Sequence, residues 1–190
     1  MLDWLKKLDT DLLLLINSCH NDFFDTIMFG ASDKLIWIPF YLFLAIVLAR
    51  KAPVKIWLIL IFAGILITMS DQLSVFVKDH ILRYRPCHNL SLRDQLHLVN
   101  NQCGGQYGFV SSHAANVMAL SLFVLLLTRN KIKWLSGLMI AWCLMVSYSR
   151  IYLGQHYPAD VIGGWLCGAT CAWICYQLLL RTSRFIKANK

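Results

Sequence analysis

The stretch SRIYLGQHYPADVIGGWLCGATCAWICYQLLL, residues 149–180, decides the fold. Its second part, 161–180, carries no formal charge, and about 20 apolar residues are what a helix needs to cross the hydrocarbon core of a bilayer. Hydrocarbon offers no hydrogen bonds, and a helix satisfies its backbone N–H and C=O groups within one segment. The first part sets Arg150, His156 and Asp160 at the mouth of that helix. Charges in such a place need a reason.

Four more apolar runs lie upstream, at 35–49, 56–77, 110–127 and 134–148, and the first and last of these must borrow flanking residues to cross. The chain is 58% hydrophobic and 15% charged, with a mean hydropathy of +0.56; soluble domains carry about 25% charged residues. A net charge of +8 by itself would suit nucleic acid. Its distribution excludes that partner, because the basic clusters at Arg50, Lys51 and Lys55, at Arg129, Lys131 and Lys133, and along 181–190 each flank an apolar run. Loops held on the cytoplasmic side show this pattern.

The expected fold is therefore an all-α, polytopic membrane bundle of five transmembrane helices. Residues 1–32 form an N-terminal amphipathic region, 35–180 the transmembrane core and 181–190 a basic cytoplasmic tail, all in one domain. Residues 1–18 mix charges with Leu2, Leu5, Leu8, Leu12 and Leu15 on one helical face, which predicts a helix lying in the membrane interface. A sixth, short span is the competing reading. Five spans with the basic loops inside put 78–111 and 150–157 on the outer face, the periplasmic side of a bacterial inner membrane.

Cys143, Cys167, Cys171 and Cys175 fall inside spans, where cysteine acts as a small apolar residue. Cys87 and Cys103 lie in the external loop, either as two thiols or as a disulfide, which would contribute about 3 kcal/mol in the chain-entropy picture. Gly164, Gly168 and Ala172 have the spacing that lets helices approach closely, within one chain or between two. Asp71 stands inside the 56–77 run, where a carboxylate marks either an ion path or a buried partner.

Three external stretches concentrate groups that suit phosphate. Lys78 and Arg85, seven apart, are expected on one helical face. Ser111 and Ser112 open an apolar helix, followed by His113, and a helix N-terminus offers free N–H groups and a positive dipole end. Pro158 suits a first helical turn, so His156 and Asp160 meet across it. Taken singly, these are a basic headgroup-facing edge, a structural histidine and a capping pair. Together they form an anion-seeking patch, and arginine forks match phosphate oxygens.

The pattern Lys78-x6-Arg85-Pro86, then Ser111-Ser112-His113, then Ser149-Arg150-x5-His156-x3-Asp160 resembles the three-part signature of the type 2 phosphatidic acid phosphatase superfamily, membrane lipid phosphatases that share a core fold with vanadium haloperoxidases. The middle part departs from it, with Val110 and Ser112 where the family has proline and glycine. The resemblance implies that His156 is a nucleophile forming a phosphohistidine, oriented by Asp160. It implies His113 as the acid and base, and Lys78, Arg85, Arg150, Ser111 and Ser112 as the phosphate cradle, with no metal and no cofactor. The partners are the bilayer and a lipid phosphate or diphosphate, such as phosphatidic acid, phosphatidylglycerol phosphate, undecaprenyl diphosphate or a lipid A phosphate. A phosphotransferase would share every one of these residues. A non-enzymatic phospholipid binder or transporter would need the arginines but not the histidines, and a vanadium peroxidase is a third reading.

Overall fold

In the computed structural model the described residues are 2–129 and 131–189, and they are predominantly helical. Met1, Asn130 and Lys190, which open the amphipathic segment, interrupt the second basic cluster and close the tail, lie outside them, as does the side chain of Leu2. The helices are α1 (Leu2–Ser18), α2 (Asp22–Ser32), α3 (Ile38–Lys51), α4 (Ile56–Ile81), α5 (Ser112–Thr128), α6 (Lys133–Tyr152) and α7 (Pro158–Ala188). Short 3-10 turns punctuate the connection from α4 to α5.

Helix α5 is the axis, with α4, α6 and α7 packed around it. Ala114, Ala115, Val117, Ala119, Phe123, Val124 and Leu127 are buried on several of its faces, which is why its 17 residues show no amphipathic stripe. At 1.5 Å per residue it is about 25 Å long, shorter than the roughly 30 Å hydrocarbon core. A helix surrounded by other helices has little need to match the lipid.

By length and composition fewer helices qualify as spans than the expected five, and α5, apolar but only 17 residues long, is shorter than those that do. Three helices are long and apolar enough to cross a membrane: α4 with 26 residues, α6 with 20 and α7 with 31. Helices α2 and α3, bent by 75° at their junction, qualify only when taken together. The run at 35–49 is thus the second limb of a bent pair, of which α2 is a helix the sequence did not separate from the amphipathic region. The chain is a multi-pass membrane protein, and the described helices support three spans, or four with the bent pair.

Lipid is as apolar as leucine, so helices in a membrane gain by close van der Waals approach rather than by hiding from water. Gly164 and Gly168 provide that approach within the chain. A Cβ at Gly164 would stand 2.6 Å from the Ser111 carbonyl oxygen, and one at Gly168 2.1 Å from that of Ala115. Helix α7 therefore lies directly on the α5 backbone.

Helix α1 turns its predicted leucine face outward: Leu5, Leu8, Leu12 and Leu15 are exposed, as is Trp4. The face that packs on α6 and α7 is instead Asp9, Leu13 and Asn17, all buried. Asn17 Nδ2 donates to the backbone oxygens of Tyr152 (2.7 Å) and His97 (2.9 Å), and its Oδ1 accepts from the His97 N–H at 2.8 Å. Periodicity located an apolar face correctly; in a bilayer that face belongs to the lipid.

The expectation that Lys78 and Arg85 share one helical face is overturned. Helix α4 stops at Ile81, with Leu82 in the left-handed conformation as its C-cap. Arg85 is extended, φ −65° and ψ 155°, as the residue before Pro86 is biased to be. Its N–H donates to the Gln106 carbonyl, while that of Gly108 donates to Arg83, so the two ends of the loop lie side by side. A disulfide joins Cys87 and Cys103 across the same loop. Asp71 has a partner in the bundle, since its Oδ1 accepts from Asn116 Nδ2 at 3.2 Å.

Candidate active site

The C-terminal ends of α4 and α6 and the N-terminal ends of α5 and α7 meet at one end of the bundle. The basic residues Arg50, Lys55, Arg129, Lys133 and Arg181 lie on the opposite ends of the helices. His156 stands in the short α6–α7 connection, 1% exposed, and Asp160 in the first turn of α7, fully buried. Tyr157 caps α7, and its N–H donates to Asp160 Oδ2 at 3.0 Å. That oxygen also faces His156 Nδ1, at a long 3.4 Å.

The other ring nitrogen meets Arg85, whose Nη1 lies 2.9 Å from His156 Nε2. A guanidinium can only donate, so Nε2 carries its lone pair toward Arg85 and Nδ1 carries the proton toward Asp160. Burial, and then the charges of Arg85, Arg150 and Lys78, hold the His156 pKa well below its ordinary value, against a backbone hydrogen bond to Gly108. The imidazole is thus neutral at neutral pH, with an available lone pair at Nε2.

Around it stand three cations. Lys78 Nζ donates to Ser112 Oγ, which also accepts from Ser74 Oγ at 2.6 Å. Arg85, beyond its bond to His156, donates to the carbonyls of Tyr107 (3.2 Å) and Gln155 (3.4 Å). Arg150, 6% exposed, donates to Ser32 Oγ and Gln155 Oε1, while its buried Nε has no partner. Among the described residues, none of the three forms an ion pair with a carboxylate. Buried charge without a counter-ion is costly, so this cluster is arranged for an anion.

Ser111 caps α5: its Oγ accepts from the Ala114 N–H at 3.4 Å and its own N–H donates to the Asp160 carbonyl at 2.9 Å. Its side chain is spent on the cap and fully buried, while the N–H groups of Ser112 and His113 are the first two of the helix, beyond reach of any helical carbonyl. His113 lies within electrostatic reach of Arg150, Lys34, His156 and Arg85. It lines one end of an apolar cavity of about 430 Å³ that runs between α3, α4, α5 and α6 past Tyr41, Leu44, Gly64, Val117 and Trp142.

The structure thus gathers the eight residues singled out in the sequence at one end of the bundle. Sequence reasoning missed Gln155, Ser32 and Asp9, and took Arg83 only as part of a basic headgroup-facing edge. Gln155 and Arg83 lie between motif residues and carried that faint signal; Ser32 and Asp9 carried none. Arg83 binds Asp160 Oδ1 at 2.9 Å and Asp9 Oδ2 at 2.6 Å.

The sequence pattern of the PAP2 superfamily matches residues 52–184. The lipid A 4'-phosphatase of Bacteroides thetaiotaomicron is 35% identical over 179 residues, which cover 93% of this chain and 79% of that relative. The lipid A 4'-phosphatase of Porphyromonas gingivalis is 31% identical over 192 residues, covering 99% and 80%. A solved structure, the transmembrane PAP2-type phosphatidylglycerolphosphate phosphatase from Bacillus subtilis, shares the fold with a TM-score of 0.70. It is 17% identical, and the likeness covers 95% of this chain and 89% of that one.

Proposed function

Since the chain belongs to the PAP2 superfamily, we propose that it is a membrane lipid phosphatase that removes phosphate from a lipid A-type glycolipid through a phosphohistidine on His156. The observation that carries this reading is the cluster of Lys78, Arg85 and Arg150 around a neutral, buried His156, with no carboxylate among the described residues paired to any of the three. The choice of lipid A within the class is supported by the two lipid A 4'-phosphatase relatives.

The chemistry follows from the geometry. The phosphate enters between the three cations, drawing Arg85 from Nε2 onto its oxygens. Lys78, Arg150 and the N–H groups of Ser112 and His113 hold the others; Ser111 contributes by capping the helix that presents them. The Nε2 lone pair forms a bond to phosphorus as the bond from phosphorus to the lipid oxygen breaks. His113, protonated once the anionic phosphate offsets the cations around it, gives that oxygen its proton, and the lipid alcohol leaves along the apolar cavity. Asp160 balances the charge on the His156 ring. Water, deprotonated by His113, then attacks phosphorus and the P–N bond breaks, releasing inorganic phosphate and restoring both histidines. Stabilising charge that is already in place does not need to reorganise in the transition state.

Phosphate release from purified protein in detergent, measured on lipid A, phosphatidic acid, phosphatidylglycerol phosphate and undecaprenyl diphosphate, tests the function. Release is expected to be fastest on lipid A and unchanged by EDTA, because the residues named above supply the positive charge. No release from any of the four would sink the enzymatic reading. Loss on chelation with recovery on Mg²⁺ would sink the metal-free mechanism.

We infer that the site faces the outer side of a bacterial inner membrane, a reading supported by the basic loops at the opposite end of the bundle. In a Cys19→Ser background, an impermeant thiol reagent added to intact spheroplasts should label Gln95→Cys and not Lys131→Cys. The reverse pattern would invert the protein and move the site to the cytoplasm.

A further inference from the structure

Arg83 and Asp9 have no place in the chemistry above, yet they form two close ion pairs beside it. The Arg83 guanidinium spans two carboxylates, with Nη1 2.9 Å from Asp160 Oδ1 and Nη2 2.6 Å from Asp9 Oδ2. Its carbon lies 4.0 Å from the centre of the Tyr157 ring. The second oxygen of Asp9 accepts the Ala159 N–H at 2.8 Å, so Asp9 also grips the first turn of α7. Asp9 itself belongs to α1, outside the stretch matched by the family pattern.

Asp160 has two oxygens to direct. One accepts the Tyr157 N–H and faces His156; the other is taken by Arg83. Fixing the second oxygen fixes the plane of the carboxylate, and so the angle at which the first meets the imidazole. Arg83 cannot hold the transferred phosphate in this arrangement. It sits behind Asp160, on the far side from Nε2, with both terminal nitrogens committed. Gly108 shows how tight the other side is, since a Cβ there would stand 2.9 Å from Asp160 Oδ2.

We propose that Arg83, seated by Asp9, is a positioning residue that sets the Asp160 carboxylate against His156, which makes α1 part of the active site. This rests on the reading of His156 as the nucleophile. The outward leucines and inward Asp9, Leu13 and Asn17 of α1 suit that role: the lipid side holds the helix in the membrane while the polar side reaches the site.

The test uses the full chain in detergent micelles, with initial rates of every variant measured over the same concentration series of whichever of the four lipid phosphates above the wild type hydrolyses fastest. Arg83→Gln should lower kcat roughly 10- to 100-fold, the range for groups that orient a reactive side chain, with KM within about twofold because substrate binding is untouched. Arg83→Lys should recover part of the loss, and Asp9→Asn should lose less than Arg83→Gln. The double variant should be no slower than Arg83→Gln alone, as expected for residues acting through one contact. Wild-type kcat in Arg83→Gln, a rise in KM with kcat kept, or multiplying losses in the double variant would each overturn the proposal. Should Arg83→Gln fail to give a monodisperse protein, Asp9→Asn decides by the same split of kcat from KM. Turnover surviving in His156→Ala would fail the underlying mechanism; an inactive His156→Ala beside a full-rate Arg83→Gln fails only this inference.

Discussion

Replacing His156 by alanine should abolish phosphoryl transfer from every phosphate ester, while replacing His113 should slow that transfer only when the leaving group needs a proton. The buried His156 ring turns its unprotonated nitrogen toward the cations, with Nε2 2.9 Å from Arg85 Nη1. Without it nothing accepts the phosphoryl group, and the expected loss is about 10⁴-fold or more, as for other nucleophiles. His113→Ala should lose roughly 10²–10⁴-fold on a lipid phosphate, the usual worth of general acid help. On p-nitrophenyl phosphate, whose phenolate leaves without a proton, the His113→Ala phosphoenzyme should form at a near-normal rate. It should then accumulate, since the group that activates water is missing. Trapping of ³²P-labelled protein, with a bond stable to base and labile to acid, reads both results. If His156→Ala hydrolyses lipid phosphate at the wild-type rate, His156 is not the nucleophile and the phosphohistidine mechanism is wrong.

The second large effect lies far from the chemistry. Gly168→Ala puts a methyl group where the Ala115 carbonyl oxygen is 2.1 Å away and backbone atoms of Ala115 and Ala119 are 3.0 Å away. Backbone cannot swing aside as a long side chain can, so α7 must move off α5. Overpacking of this kind costs about 1–3 kcal/mol, which lowers a melting midpoint by roughly 2–12 °C for a chain of this size. It should cost activity as well, because His113 opens α5 and Asp160 opens α7, and the site requires their separation to be right. Gly137→Ala is the control, with no atom within 4 Å of its added Cβ. Equal melting midpoints and equal kcat in the two variants would show that the close approach of α5 and α7 is not needed.

Much of the site was readable because its residues sit at helix ends, and helix ends announce themselves locally. Ser111 before an apolar run and Pro158 after His156 mark where two helices begin, and capping needs only neighbours in sequence. Lys78 and Arg85 were rightly joined but for a wrong reason. The helix that would have set them on one face ends at Ile81, and both reach His156's surroundings because the loop folds back from Leu82.

The sequence by itself determined that the chain is a helical membrane protein with a phosphate-seeking end. A twenty-residue uncharged run and the placement of lysine and arginine are one-dimensional facts with strong physical consequences. Only the tertiary structure decided which side of each helix faces inward. In water an apolar stripe points to the core, whereas in a bilayer it can equally well face lipid, and the leucines of α1 point outward. For the same reason the bond from Arg83 to Asp9, 74 residues away in the chain, left no periodic trace. One aspartate among the charges of an amphipathic helix looks like any other until the fold brings an arginine to it.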